Sequence, residues 1–252
     1  MSLGFLAPDA AVADDRFTPI ARSPMERQAL AAGARFEVRD GWNVAVGYAS
    51  AEHEREAQRQ AVTWTDVSHL GKLELHAAPD DLDAITARVS GAGAPEFGHA
   101  LRAGGAWWLR LTRDRALVVT DPGTVGGLRE RLAEAATGAS ETVSIIDATS
   151  KFAALTIAGP LARELFARLT ALDLRPGVTP VHGLRPGSIA RNPGVLVRED
   201  EQRYLILFGW ALGHYMWSVV ADAGGHLGGS PAGVDALAPI AGGPVKEEAG
   251  RA

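Results

Sequence analysis

Two stretches, "GKLELHAAPDDLDAITARV" (Gly71–Val89) and "AALTIAGPLARELFARL" (Ala153–Leu169), run through the same succession of features, and that repetition decides the fold. In each, apolar and polar residues alternate as on a half-buried strand. A small-residue turn bearing a proline follows, and apolar residues then recur at helical spacing. The helical positions are Leu82, Ile85 and Val89 in the first copy and Leu161, Leu165, Phe166 and Leu169 in the second.

Each copy continues into a hairpin with a charged bend. The first, "AWWLRLTRDRALVVT" (Ala106–Thr120), turns at Arg113–Asp114; the second, "GVLVREDEQRYLILF" (Gly194–Phe208), turns over Glu199–Gln202. A helix closes each copy: "PGTVGGLRERLAEAA" and "GWALGHYMWSVVADA". The pattern predicts an α+β fold of two duplicated β-α-β-β-α modules, residues 68–145 and 146–240, with antiparallel sheets backed by helices. Two copies mark a duplication, since a solenoid needs three or more repeats.

Residues 1–22 have no sustained period and read as an N-terminal arm, and 241–252 as a mobile tail. Between arm and first module, residues 23–67 form a helical lead-in. "PMERQALAAGARF" (Pro24–Phe36) has proline early and glycine late, and "AEHEREAQRQAVTW" (Ala51–Trp64) has glutamates ahead of arginines.

Composition narrows the function. Hydrophobic residues at 46% and charged residues at 22% over 252 positions describe an ordinary globular chain. A net charge of −5 opposes a nucleic-acid partner, and no apolar run is long enough to span a membrane. With no cysteine there is no thiolate nucleophile, disulfide or cysteine-based metal site. The start lacks a basic region followed by an apolar core, so the expected location is cytoplasmic.

Asp66, Ser68 and His69 look like parts of a hydrolase triad. Adjacent residues on an extended segment point to opposite faces, however, and no G-x-S-x-G elbow surrounds Ser68. Asp66 and Ser68 read instead as turn residues where the chain enters the first module, with Asp147 and Thr149 as counterparts before the second. The histidines are scattered without H-E-x-x-H spacing, so no metal ligand set emerges. His214, among Trp210, Tyr215 and Trp217, reads as a packed core or interface residue. Adjacent Trp107 and Trp108 leave two readings open: one ring faces a groove or partner, or the two serve separate packing layers.

"GARFEVRDGWNVAVGYASAEHEREAQRQAVTWTDVSHLGKLEL" resembles the opening of the glycine cleavage T-protein (aminomethyltransferase) family. The shared features are Trp42, Tyr48, Glu52–His53, Arg59, and the D-x-S-x-x-G of Asp66, Ser68 and Gly71. Lys72 after that glycine is similar to the folate-binding part of sarcosine oxidase alpha subunits. "SIIDATSKFAALTIAGPLARELFARLTALDLRP" resembles sarcosine oxidase gamma subunits of the same superfamily.

The resemblance covers residues 22–240 and implies the folate-binding T-protein-like fold, without the C-terminal β-barrel domain of the longer members. It implies tetrahydrofolate as a possible cofactor, with Arg191, Glu199 and Tyr204 as contacts, joined by Tyr48 and Trp108. It also departs from the family. Where family enzymes carry an aspartate shortly after "GG", this chain has Trp107, Trp108 and Leu109. No catalytic residue is therefore assigned.

The leading expectation is a gamma-type subunit of a multi-subunit sarcosine or N-methyl amine oxidase or demethylase. It would associate with flavin-dependent amine oxidase subunits through Trp107–Trp108 and the Trp210/Trp217 helix. The alternatives are a stand-alone tetrahydrofolate-dependent aminomethyl- or methyltransferase with a rearranged site, and a folate-binding or regulatory protein with no transfer activity.

Overall fold

The computed structural model describes residues 19–237. Most of the expected arm and all of the expected tail lie outside the described residues.

The lead-in is part strand. After β1 (Ala21–Arg22), helix α1 covers only Glu26–Ala31. Gly33, at φ +90°, releases the chain, and the alternation of "RFEVR" carries it into β2 (Arg35–Arg39) and then β3 (Trp42–Gly47). These form a small sheet of order β1-β3-β2. Helix α2 (Ala51–Gln60) starts at Ser50, whose side chain accepts from His53 N at 3.2 Å. The expected helix through Trp64 stops at Gln60, because "TWTD" becomes the buried strand β4 (Thr63–Asp66).

The first module contributes β5 (Gly71–His76), α3 (Pro79–Ser90), β6 (Ala100–Ala103), β7 (Ala106–Arg110), β8 (Arg115–Thr120) and α4 (Val125–Ala135). A further strand, β9 (Ser144–Asp147), leads to the second module: β10 (Phe152–Ala158), α5 (Ala162–Leu169), β11 (Leu184–Ile189), β12 (Asn192–Asp200), β13 (Arg203–Gly209) and α6 (Gly213–Gly225). Short β14 (Ser230–Pro231) follows. The duplicated succession is realised twice in an α+β fold with open sheets, each copy carrying one strand more than expected: β6 and β11 precede the hairpins, giving β-α-β-β-β-α. Among the described residues no helix is long and apolar enough to cross a membrane.

The packing is four layers. Leu82, Ile85 and Val89 of α3 and Leu128 and Leu132 of α4 cover one face of the first sheet, against Leu73, Leu75, Trp108 and Val118. On the other side of the second sheet, Leu165 and Phe166 of α5 and Met216 and Trp217 of α6 pack on Leu155, Tyr204 and Ile206. Between the two sheets lies a third apolar layer, with Trp107, Leu109 and Val119 facing Val197, Leu205 and Leu207. Alternation along each strand supplies these faces: Trp107 and Leu109 point to the middle layer, Trp108 to the outer one. The two tryptophans therefore serve separate packing layers, 3% and 1% exposed.

The modules exchange strands. β4, which precedes the first module, pairs antiparallel with β10 of the second sheet. β9, which precedes the second module, pairs antiparallel with β5 of the first. The two crossings are held by matching bonds. Asp66 Oδ1 accepts from Ser68 N and Asp147 Oδ1 from Thr149 N, each at 2.9 Å. Ser68 Oγ accepts from Ala154 N and Thr149 Oγ1 from Lys72 N, each at 3.1 Å. Val67 N reaches Ala154 O at 3.0 Å, and Ala148 N reaches Lys72 O at 2.8 Å. Each short polar turn residue satisfies a backbone donor at the head of the other module's first strand.

Ser68 is fully buried, so its hydroxyl has no water to replace Ala154. Ser68→Ala is expected to lower unfolding free energy by about 1–3 kcal/mol, with Thr149→Val, at a half-exposed position, costing less. Urea denaturation followed by tryptophan fluorescence checks this; an unchanged Ser68→Ala midpoint would show that the crossing bonds contribute nothing.

Candidate functional site

The middle layer between the sheets holds the polar groups that invite a functional reading. The hairpin registers pair Arg102 with Trp107, Trp107 with Val119, and Val119 with Lys72. Directly paired residues of an antiparallel sheet face the same side, so these four form one row across β6-β7-β8-β5. At about 4.8 Å per strand the row spans roughly 14 Å, with a cation at each end.

At one end Lys72 is fully buried, and its Nζ donates to Ser68 O at 2.7 Å. Burial pushes its ammonium down to about 7, opposed by the charges of Asp66 and Asp147. Nearby Asp66, buried on the α5 and α6 side of β4 beside its pair Leu155, is pushed above the usual carboxylate range by desolvation, even though it accepts bonds from Ser23 Oγ and Ser68 N. Tyr48 stands beside this group. Burial, then the charges of Asp66 and Glu54, raise its phenol, and its hydroxyl has no partner among the described residues.

At the other end Arg102 lies 5.7 Å over the Trp107 ring, and His182 meets that ring edge-on at 5.2 Å. Arg102 Nε and Trp107 Nε1 are buried donors without a partner among the described residues. Burial lowers the Arg102 guanidinium, while Glu199 and Asp121 oppose that. Glu199 is 4% exposed, and its Oε2 accepts from Arg203 Nε at 2.9 Å. Glu199 lies inside β12 rather than in the hairpin bend expected of it. The chain keeps its pairing through a register shift between Arg198 and Asp200, which carries the strand one residue past Glu199 before the turn.

The five residues expected to contact a cofactor do not converge. Glu199 borders the middle layer. Trp108 faces the outer layer, with Nε1 donating to Ala103 O at 3.1 Å. Tyr204 is fully buried in the α5 and α6 layer against Phe166, its hydroxyl unpartnered among the described residues. Tyr48 packs on Trp217 at 6.4 Å. Arg191 is exposed in the β11–β12 turn, at the opposite end of β12 from Glu199, roughly 25 Å away at 3.3 Å per residue.

The tryptophans proposed for association are also differently placed. Trp107, Trp108 and Trp217 are buried, and Trp210 packs on Trp42 at 6.1 Å. Their apolar rings are used in building the layers, whereas His214 is exposed.

Sequence reasoning missed Arg102, Arg203, His182 and the weight on Lys72. One signal was available: Gly104–Gly105 is a two-residue turn, and it fixes Arg102 opposite Trp107. In "EHERE" the exposed Glu52 and His53 drew notice, yet buried Glu54 does the structural work. Its carboxylate accepts from Tyr48 N (2.5 Å), Ala49 N (2.7 Å) and Gly233 N (2.8 Å), tying β14's segment to α2.

What this arrangement can do is bounded by its contents. Trp107 and Leu109 fill the middle layer where the resemblance places the family's acid. Two carboxylates border the layer among the described residues, and both are engaged: Glu199 by Arg203, and Glu74, paired with Leu117, by Lys151 and His76. The site therefore offers the Glu199 carboxylate, the Trp107 indole and two N–H donors, with neither donor partnered and neither carboxylate free among the described residues.

Comparison with known proteins agrees with the fold. The family described as the GCVT N-terminal domain matches residues 25–240. An aminomethyltransferase of Frankia alni is 29% identical over 244 residues, covering 85% of this chain and 61% of its own length. The aminomethyltransferase of Mycobacterium tuberculosis is 28% identical over 228 residues, covering 84% and 60%. The chain thus spans less than two thirds of these relatives. Among solved structures, the aminomethyltransferase T of Bartonella henselae superposes with TM-score 0.71 at 17% identity, over 86% of this chain and 60% of that one. A chain of the heterotetrameric sarcosine oxidase of Corynebacterium sp. U-96 superposes with TM-score 0.61 at 24% identity, over 76% of this chain and 95% of that one.

The lowered Lys72 pKa has a thermodynamic signature. Between about 7 and the ordinary lysine value of 10.5, the unfolded chain carries a proton at Lys72 that the folded chain does not. Stability contributed by this group therefore rises with pH across that window, by up to about 1.4 kcal/mol per pH unit. Urea unfolding of wild type and Lys72→Met from pH 7.5 to 9.5 checks this. The wild type should gain stability relative to the variant as pH rises, and parallel curves would rule the depressed lysine out.

Proposed function

Because the chain belongs to the GCVT N-terminal domain family, we propose that it acts as a gamma-type subunit of a multi-subunit sarcosine or N-methyl amine oxidase or demethylase. The observation that carries this reading is the filled middle layer. Trp107 and Leu109 stand where a transferase of the family would need an acid, and they pack against Val197, Leu205 and Leu207 of the facing sheet. A site that binds by position but lacks a free proton acceptor suits a supporting subunit. The fold match covering 95% of a sarcosine oxidase chain supports the same reading. Its partners would be flavin-dependent amine oxidase subunits, which would carry the redox step.

The second reading, a tetrahydrofolate-dependent aminomethyl- or methyltransferase acting alone, draws support from the other end of the layer. Glu199 could accept the amine and ring N–H donors of a pterin, and Arg102 Nε and Trp107 Nε1 could donate to its carbonyl; on residue types the group fits. When bound, tetrahydrofolate would supply the nitrogens that accept a one-carbon unit. The chain's own part would be to hold it and exclude water.

Co-expression with a flavin amine oxidase and size-exclusion chromatography separate the readings. The subunit reading expects one co-eluting complex. Tetrahydrofolate titration monitored by tryptophan quenching tests the second, and Glu199→Gln should weaken any binding about tenfold, the loss of a charge-assisted hydrogen bond. A protein that elutes alone and binds tetrahydrofolate would overturn the first reading in favour of the second.

A further inference from the structure

Three hairpins of this fold close through two-residue turns with both central residues at positive φ, the type I′ geometry that suits the twist of the strands. Asp40–Gly41 (φ +48° and +76°) and Gly104–Gly105 (φ +58° and +80°) use residues that adopt it readily. The third, between β11 and β12, uses Ala190–Arg191 at φ +47° and +65°. Neither residue is at ease there, because a Cβ crowds the left-handed conformation. The turn is held in place from outside. Ala190 N donates to Leu169 O at 2.7 Å, and Ala190 O accepts from Tyr215 Oη at 3.1 Å and Asn192 Nδ2 at 2.9 Å. Strain that the surroundings maintain, at a turn where glycine would relieve it, points to a use for the side chain.

Arg191 lines a groove of about 1240 Å³ between α5 and α6, open to solvent on the outer face of the second sheet. Its long wall is one face of α6: Tyr215, Ser218, Val219, Asp222 and His226 recur at i, i+3, i+4, i+7 and i+11, about three turns or roughly 17 Å. Leu172 and the small side chains of Ala167 and Ala223 leave the valley unfilled. Arg168 and Arg191 flank it, and among the described residues neither guanidinium makes an ion pair or side-chain hydrogen bond. The acid in the groove is Asp222, which has His226 at 3.9 Å. The volume exceeds the roughly 300–1,000 Å³ of small-molecule pockets, and the long α6 wall, faced by the last turn of α5, residues 170–172 and the β11–β12 turn, suits a helix lying along it.

We infer that the α5–α6 groove receives an amphipathic helix of a partner protein, apolar toward Leu172 and Val219 and acidic toward Arg168 and Arg191. Charge complementarity selects the occupant: two cations on the channel walls, unpaired among the described residues, favour carboxylates on the incoming helix. This inference goes beyond the subunit reading and is independent of the middle layer, since the groove lies on the far face of the second sheet.

Two fluorescein-labelled 18-residue peptides test it on the full chain by anisotropy. They share one helical leucine stripe, and their polar positions carry glutamate in one and lysine in the other. The acidic peptide should bind at least tenfold more tightly than the basic one, and added salt should weaken it. The double substitution Arg168→Glu/Arg191→Glu should cost at least tenfold. Arg191→Gly should raise Tm by relieving the turn while still weakening the acidic peptide. Equal binding of the two peptides, no binding of either, or full affinity in Arg191→Gly would overturn the inference. A Tm that falls in Arg191→Gly would remove its strain argument. None of these outcomes alters the test of tetrahydrofolate or oxidase association.

Discussion

The reciprocal bonding at the two module crossings is the constraint on which the rest of the structure depends. Ser68 Oγ takes the backbone N–H of Ala154, and Thr149 Oγ1 takes that of Lys72. With β4 and β9 exchanged, neither sheet is complete without a strand leading into the other module. The duplication is therefore a single interlocked body rather than two domains in series. Residues that looked like the acid and nucleophile of a hydrolase are the ones that lock it.

Interlocking sets the character of the layer between the sheets. Bringing two strand faces together around these crossings buries whatever the sequence places there. Most of it is apolar, but Lys72 is carried in as well, close to Asp66, which is paired with Leu155 and so faces the α5 and α6 side. Their mutual charge offsets only part of the desolvation each suffers, which is why the lysine is pushed down and the aspartate up. At the other end, Arg102, Trp107, Glu199 and Arg203 form a recognition-type cluster, while Trp107 and Leu109 fill the space an acid would need. Association falls to the outer face, where small residues leave a channel between helices and a strained turn presents Arg191.

Much of this was legible early. The repeated alternation, proline turn and helical spacing of Gly71–Val89 and Ala153–Leu169 gave the succession of elements and the helix faces that are buried. The motif order around Asp66, Ser68 and Gly71 pointed to the family. The candidate site was far less legible. The charged neighbours of Glu199 predict a turn, yet a register shift keeps it in the strand and buries it. Trp107 and Trp108 were candidate surface rings, yet each is needed by a different layer. Arg102 drew no notice because an arginine in a short strand looks solvated until its cross-strand partner is known.

What the sequence determined by itself, then, is local: hydrophobic period sets strand against helix, and glycine, proline and short polar residues set where they turn, since these depend on neighbours a few positions away. Tertiary structure alone decided which module each connecting strand joins, which charges lose their water, and which cations remain without a partner. Those outcomes turn on residues that lie far apart along the chain, such as Ser68 bonded to Ala154, or Arg102 in the field of Glu199. Burial, and with it the energy of a charge, exists only once the sheets have closed on each other.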